Sequence, residues 1–198
     1  MNDAAWALRP GALALMRERI DAGHETVVEC GSGESTVSIA TKLAERGAGS
    51  LHSLEHDPGW AARTRARLAR EGVPGRVALI EAPLRPHPLA EPDCGWYDTA
   101  ALATLPHGVD LLLVDGPPGT LAASGEGRYP ALPLLAPRLA PGALVVLDDI
   151  HRSGERGVLA RWAQELAIEF ELHPRERIAI GVFSAAHPRH RTPGERNR

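Results

Sequence analysis

The chain has 198 residues, of which 43% are hydrophobic and 24% charged, with a formal net charge of -3. That is enough for one well-buried core and too little for two ordinary domains, and the mild acidity argues against a general nucleic-acid binder. No apolar run approaches the roughly 18–20 residues of a membrane-spanning helix, and the opening residues lack the basic start and apolar stretch of an export signal. Cys30 and Cys94 are the only cysteines, too few for a disulfide framework, and both read as reduced thiols in a cytoplasmic protein.

In chain order, residues 8–23 show apolar residues at helical spacing and stop at Gly23. Residues 25–30 (ETVVEC) read as a first strand and 35–49 as an amphipathic helix ending in glycines. Residues 50–57 alternate as a second strand. Pro58 opens a helix that closes at Gly72, and 76–82 form a third strand. Residues 83–98 are too proline-rich for a regular element and are expected to form a loop. DLLLVDG (110–116) is a continuous apolar run bounded by turn residues, as in a buried parallel sheet. A proline-interrupted helix over 128–142 leads into a fifth strand, 143–149. A helix over 155–167 and two closing strands follow, joined too tightly for a parallel crossover. This alternation predicts an α/β sandwich: a mostly parallel, seven-stranded Rossmann-like sheet with an antiparallel last strand. Residues 1–185 form a single domain in this reading, and 186–198 a basic, disordered tail.

In an open α/β sheet a ligand sits beyond the carboxyl ends of the strands. Acids fall there on every strand of the parallel series: Glu29, Glu55, Glu81, Asp115, and the pair Asp148 and Asp149. The turn after the first strand, Gly31-Ser32-Gly33, lacks the lysine of a phosphate-binding loop, and Glu29 and Glu34 would repel phosphate. A dinucleotide fingerprint is nearer, since Glu55 lies about 20 residues on, where an acid binds ribose hydroxyls. Yet Thr36 stands where its third glycine belongs, and a carboxylate beside the turn suits a cationic ligand better.

The acid-x-Gly-x-Gly turn ECGSG (29–33), followed by VDGPPG (114–119) and a strand ending in LDDIHR (147–152), resembles the class I S-adenosylmethionine-dependent methyltransferases, in particular small bacterial members. The likeness runs from about Trp6 to Ala185, with Ser35 where many members have a third glycine. It implies that Glu29, Gly31, Ser32, Gly33, Glu55, His56, Glu81 and Asp115 hold S-adenosylmethionine, with Glu55 on the ribose and Glu81 or Ala82 beside the adenine. Asp115 and His151 become the catalytic candidates, His151 as general base. As in metal-dependent O-methyltransferases of this fold, Asp115, Asp148 and Asp149 are candidate ligands for Mg2+. Trp96, Tyr97, Arg128 and Tyr129 are candidates for the pocket wall. The implied partner is a small-molecule methyl acceptor, with no nucleic acid and no membrane, and a homodimer formed through the helix around Trp6 stays open. A nicotinamide-dependent oxidoreductase and a non-catalytic adenosine binder are the alternatives. The former typically carries a Tyr-x-x-x-Lys pair, which Lys42, the only lysine, does not supply.

Overall fold

The computed structural model describes residues 8–184. The expected domain limit at 185, the tail 186–198 and Trp6 lie outside the described residues. The first helix, α1 (Pro10–Asp21), begins with proline in its first turn and buries Ala12, Met16 and Ile20, one per turn on a single face. Strand β1 (Thr26–Cys30) leads to α2 (Glu34–Arg46), which ends on Gly47 in the left-handed conformation. After β2 (Ser50–Glu55), Asp57 caps α3 (Pro58–Arg70) by accepting a hydrogen bond from Trp60 N at 2.6 Å. Strand β3 (Val77–Glu81) completes the first half of the sheet.

The proline-rich stretch 83–98 is not wholly a loop. Leu84–Arg85 (β4) pairs antiparallel with Trp96–Tyr97 (β5), and Pro86, Pro88 and Pro92 occupy the connection between them. Trp96 is fully buried against the central strands, so packing orders a segment whose local sequence predicts none. A short helix, α4 (Thr99–Ala103), precedes β6 (Val109–Val114). The proline-interrupted segment forms α5 (Ala131–Leu135) and a single 3-10 turn before β7 (Leu139–Leu147). Helix α6 (Ser153–Leu166) and the hairpin of β8 (Phe170–His173) and β9 (Ile178–Val182) close the fold.

The seven long strands lie in the order β3-β2-β1-β6-β7-β9-β8. The first five are parallel, and β9 runs antiparallel to β7, with β8 rather than β9 at the edge. Successive residues of β1 and β6 enter opposite layers: Val27, Leu111 and Leu113 pack with α1 and α2, while Val28, Leu112 and Val114 pack with Trp96 and Trp162. That period of two, apolar on both faces, is why these strands read as continuous hydrophobic runs. From β1 the chain winds outward to β3 and then returns to place β6 on the other side of β1. The reversal opens a crevice at the carboxyl ends of β1 and β6.

Candidate active site

Two turns meet in that crevice. Gly31, just after β1, has φ +91°, and a Cβ there would come within 3.0 Å of Gly116 N in the turn after β6. Positive φ and close backbone approach both demand glycine. The sheet ladder continues into the turns, with Gly31 N bonded to Leu54 O at 2.9 Å and Asp115 N to Cys30 O at 2.9 Å.

Glu29 lies beneath the turn, fully buried, and does not line the cleft. It shares a face of β1 with Val27, under α2. Its carboxylate accepts hydrogen bonds from Ser35 Oγ, from Thr36 Oγ1 at 2.6 Å and from Ser53 Oγ at 2.7 Å. Thr36 Oγ1 in turn accepts from Gly33 N at 2.8 Å. Burial pushes the Glu29 carboxyl up to about 7 against the pull of the three hydroxyls, with nearby Glu55 adding to the rise. The expected direct contact with a cationic ligand is therefore corrected: Glu29 braces the turn from below. Ser35 fills a glycine's usual place by donating to this carboxylate.

Glu55, only 3% exposed, does line the cleft. It accepts from Ser32 N at 3.0 Å, Ser32 Oγ at 2.8 Å and Asp57 N at 2.8 Å, and His56 Nδ1 lies 3.1 Å away. Burial pushes this carboxyl up, but the bonds from His56, Asp57 and Ser32 outweigh it and hold it below the ordinary glutamate value. Glu55 is thus an ionised, oriented acceptor. Ser32 Oγ has a second partner in Thr64 Oγ1 at 3.3 Å.

Across the crevice, one ligand oxygen from each of Asp115, Asp148 and Asp149 lies within 4.8 Å of the others. Arg128, 2% exposed, binds this group from below. Its Nη2 donates to Asp115 Oδ1 at 3.2 Å and to Asp149 Oδ2 at 3.0 Å, and its Nη1 to Asp148 O at 3.1 Å. Arg152 Nη1 reaches Asp149 Oδ2 at 2.7 Å. Burial raises the Asp115 carboxyl well above the ordinary range; Arg128 pulls it down, and Asp148 and Asp149 push it up again. Burial and the neighbouring Asp149 carry Asp148 to about 6.

A single cleft of about 460 Å³ joins the two groups. Of the residues singled out in the sequence, Gly31, Ser32, Glu55, His56, Asp115, Asp148 and Asp149 line it. Tyr97 and Arg128 do so too, and the Tyr97 hydroxyl is buried without a hydrogen-bond partner. Gly33 begins α2 behind the lining.

Four further candidates lie outside the cleft lining. Glu81 is exposed on the edge strand and paired with Arg65 at 2.7 Å, away from the cleft. His151 is 41% exposed, does not line the cleft, and lies 3.8 Å from Asp149, beyond hydrogen-bond reach. It is not held as a base toward the site. Trp96 belongs to the core, and Tyr129 turns its hydroxyl to Glu165.

The cleft also contains residues that sequence reasoning missed: Arg9, Trp60, Arg63 and Arg177. Trp60, in the first turn of the helix after the Glu55 strand, donates its indole N–H to Ser32 O, with the Arg63 guanidinium 4.5 Å above its ring. Its place after a strand-end acid was the available signal. No local pattern marks Arg9 or Arg177.

A glycine turn braced from below, an oriented carboxylate after the second strand and an acid group opposite them meet at the sheet switch point, where open α/β sheets bind their ligands. Residues 28–150 match the protein family described as "Methyltransferase domain". The chain belongs to that family, and its fold is that of the class I S-adenosylmethionine-dependent methyltransferases. Among curated proteins none matches the sequence.

Solved structures of the same fold include an O-methyltransferase from Bacillus cereus in complex with S-adenosylhomocysteine, 15% identical, covering 91% of this chain and 84% of that one at a TM-score of 0.63. The O-methyltransferase TomG from Streptomyces achromogenes, involved in tomaymycin synthesis and solved with S-adenosylmethionine, is 16% identical over 91% of this chain and 82% of its own, at 0.63. The S-adenosylhomocysteine-bound methyltransferase PaMTH1 from Podospora anserina is 18% identical over 93% and 82%, at 0.67.

Proposed function

We propose that the protein transfers the methyl group of S-adenosylmethionine to an oxygen of a small-molecule acceptor. The observation that carries this reading is the single cleft joining the Gly31–Ser32–Glu55 edge to the Asp115–Asp148–Asp149 group. Its volume suits a small ligand. The choice of oxygen draws on the O-methyltransferases that share the fold.

In this reading the ionised Glu55 accepts hydrogen bonds from the ribose hydroxyls, and Ser32 Oγ can turn to Thr64 to release one of its lone pairs. The bare backbone of Gly31 and Gly116 admits the methionine portion. Asp115, between the two halves of the cleft, meets the cofactor's ammonium and the acceptor hydroxyl. Methyl transfer is an in-line displacement at carbon, so alignment of the acceptor oxygen with the sulfonium carries most of the catalysis. Arg128 fixes the Asp115 and Asp149 carboxylates in place for that alignment.

The aspartates also fit a divalent cation. They offer only hard oxygen donors: Arg128 engages Asp115 Oδ1 and Asp149 Oδ2, and the Asp115 and Asp148 carboxyls hydrogen-bond each other, a pairing that a bound cation would replace. Four carboxylates, counting Glu155, face two guanidiniums, Arg128 and Arg152. Asp115, Asp148 and Asp149 would hold Mg2+, which when bound orients and acidifies an acceptor hydroxyl.

Calorimetric titration with S-adenosylhomocysteine tests the proposal. The wild type should bind in the micromolar range and ignore NAD, and Glu55→Gln should weaken binding about tenfold or more through loss of charge-assisted hydrogen bonds. A folded protein that does not bind the adenosyl ligand would overturn it.

A further inference from the structure

The cleft has a charged wall that the methyl-transfer reading leaves unused. Five arginines line it: Arg9, Arg63, Arg128, Arg152 and Arg177. Arg128 and Arg152 are consumed by the aspartates, and Arg63 rests on Trp60. Arg9 and Arg177 have no hydrogen bond or ion pair from their side chains among the described residues.

These two lie far apart in sequence but belong to one wall. Glu176, next to Arg177, packs over Gly11, two residues after Arg9, so closely that a Cβ there would collide with its carboxylate. Arg177 O accepts a hydrogen bond from Ile150 N at 2.9 Å, which ties the β8–β9 turn to the segment carrying Asp148 and Asp149. Arg177 also holds φ +61°, a left-handed conformation that favours glycine, yet an arginine occupies it at the cleft. The tie to Ile150 puts Arg177 beside the aspartate segment.

Resting on the methyltransferase reading, we propose that Arg177 and Arg9 form an anion subsite, and that the methyl acceptor carries a carboxylate or phosphate group which they hold while its hydroxyl lies at Asp115. Guanidiniums with no partner among the described residues, at a partly enclosed cleft, are forks for such oxygens, each bond being charge-assisted. The anion fixes one end of the acceptor, and the aspartate group receives the other. The acceptors selected are thus hydroxy acids or phosphate monoesters, and neutral alcohols of the same shape are poor ligands.

The test titrates the S-adenosylhomocysteine-saturated protein with benzoate and, separately, with inorganic phosphate, using benzyl alcohol as the neutral control. Wild type should bind at least one anion and discriminate against the alcohol; which anion binds tells a carboxylate subsite from a phosphate one. Arg177→Gln and Arg9→Gln should each weaken that anion about tenfold and leave affinity for S-adenosylhomocysteine unchanged. Binding of S-adenosylhomocysteine without either anion would overturn the subsite and leave the methyltransferase reading standing. A parallel loss of S-adenosylhomocysteine affinity in the variants would overturn it too, by assigning the arginines to the cofactor's own carboxylate. Failure of the wild type to bind S-adenosylhomocysteine would remove the reading on which the subsite rests.

Discussion

Glu29 organises the Gly31–Gly33 turn from below without lining the cleft beside it. Its folded value of about 7 stands above the ordinary 4.5, so the folded chain holds this proton more tightly than the unfolded one. Its protonation favours folding fully below pH 4.5, and that stabilisation is lost as pH rises toward 7. At about 1.4 kcal/mol per pH unit between the two values, the loss is about 3 kcal/mol. Asp148, raised from 3.8 to about 6, acts in the same direction over a lower range. Glu29→Gln keeps the shape and removes the titration. Urea unfolding of wild type and variant at about pH 5 and pH 8 should therefore show the wild type losing about 3 kcal/mol more than the variant. Parallel losses would mean that Glu29 does not titrate in this range.

Among the elements, the loop between β6 and α5 depends on α6 for its course. Gly125, at φ +80°, lies against Gly154 in the first turn of that helix, and an added Cβ at Gly154 would run into Gly125 O. Because the obstacle is backbone, it cannot swing aside, and the loop that leads to Arg128 must shift as a unit. Gly154→Ala is expected to cost about 1–3 kcal/mol. Gly75 makes the control: a Cβ there meets nothing within 4 Å, so Gly75→Ala should stay within about 0.5 kcal/mol. Equal stability of the two variants in thermal unfolding would show that the glycine contact does not position the loop.

For the molecule as a whole, the cleft lies where the β1–β3 half of the sheet meets the half that begins with β6. A ligand held by both halves binds the folded chain and has no site in the unfolded one. S-adenosylhomocysteine at 100 times its Kd should add about 2.7 kcal/mol. For a chain of this size that corresponds to a Tm rise of roughly 5–10 °C. A saturating titration with no rise would mean that the cofactor does not join the halves as proposed. No described helix is long and apolar enough to cross a membrane.

Strands and helices were legible in the sequence because their signals are local. DLLLVDG is apolar on both faces of β6, and Gly23, Gly47 and Gly72 mark helix ends through backbone conformations that glycine alone adopts cheaply. The strand-end position of each acid followed from the same periodicity. Which acid faces the cleft did not. Glu29 and Glu55 both close strands beside the turn, and the difference comes from Ser35, Thr36 and Ser53, which two other stretches of chain place around Glu29. Glu81 is drawn outward by Arg65 across an edge that exists only once the strands are ordered. Arg9 and Arg177 share a wall because the final hairpin packs beside β7 and over α1, a juxtaposition of residues 168 positions apart (177 minus 9) that no local pattern records. Local residue patterns set the elements and the ends at which chemistry could gather; side-chain direction and the meeting of distant segments came from packing, which local propensity does not encode.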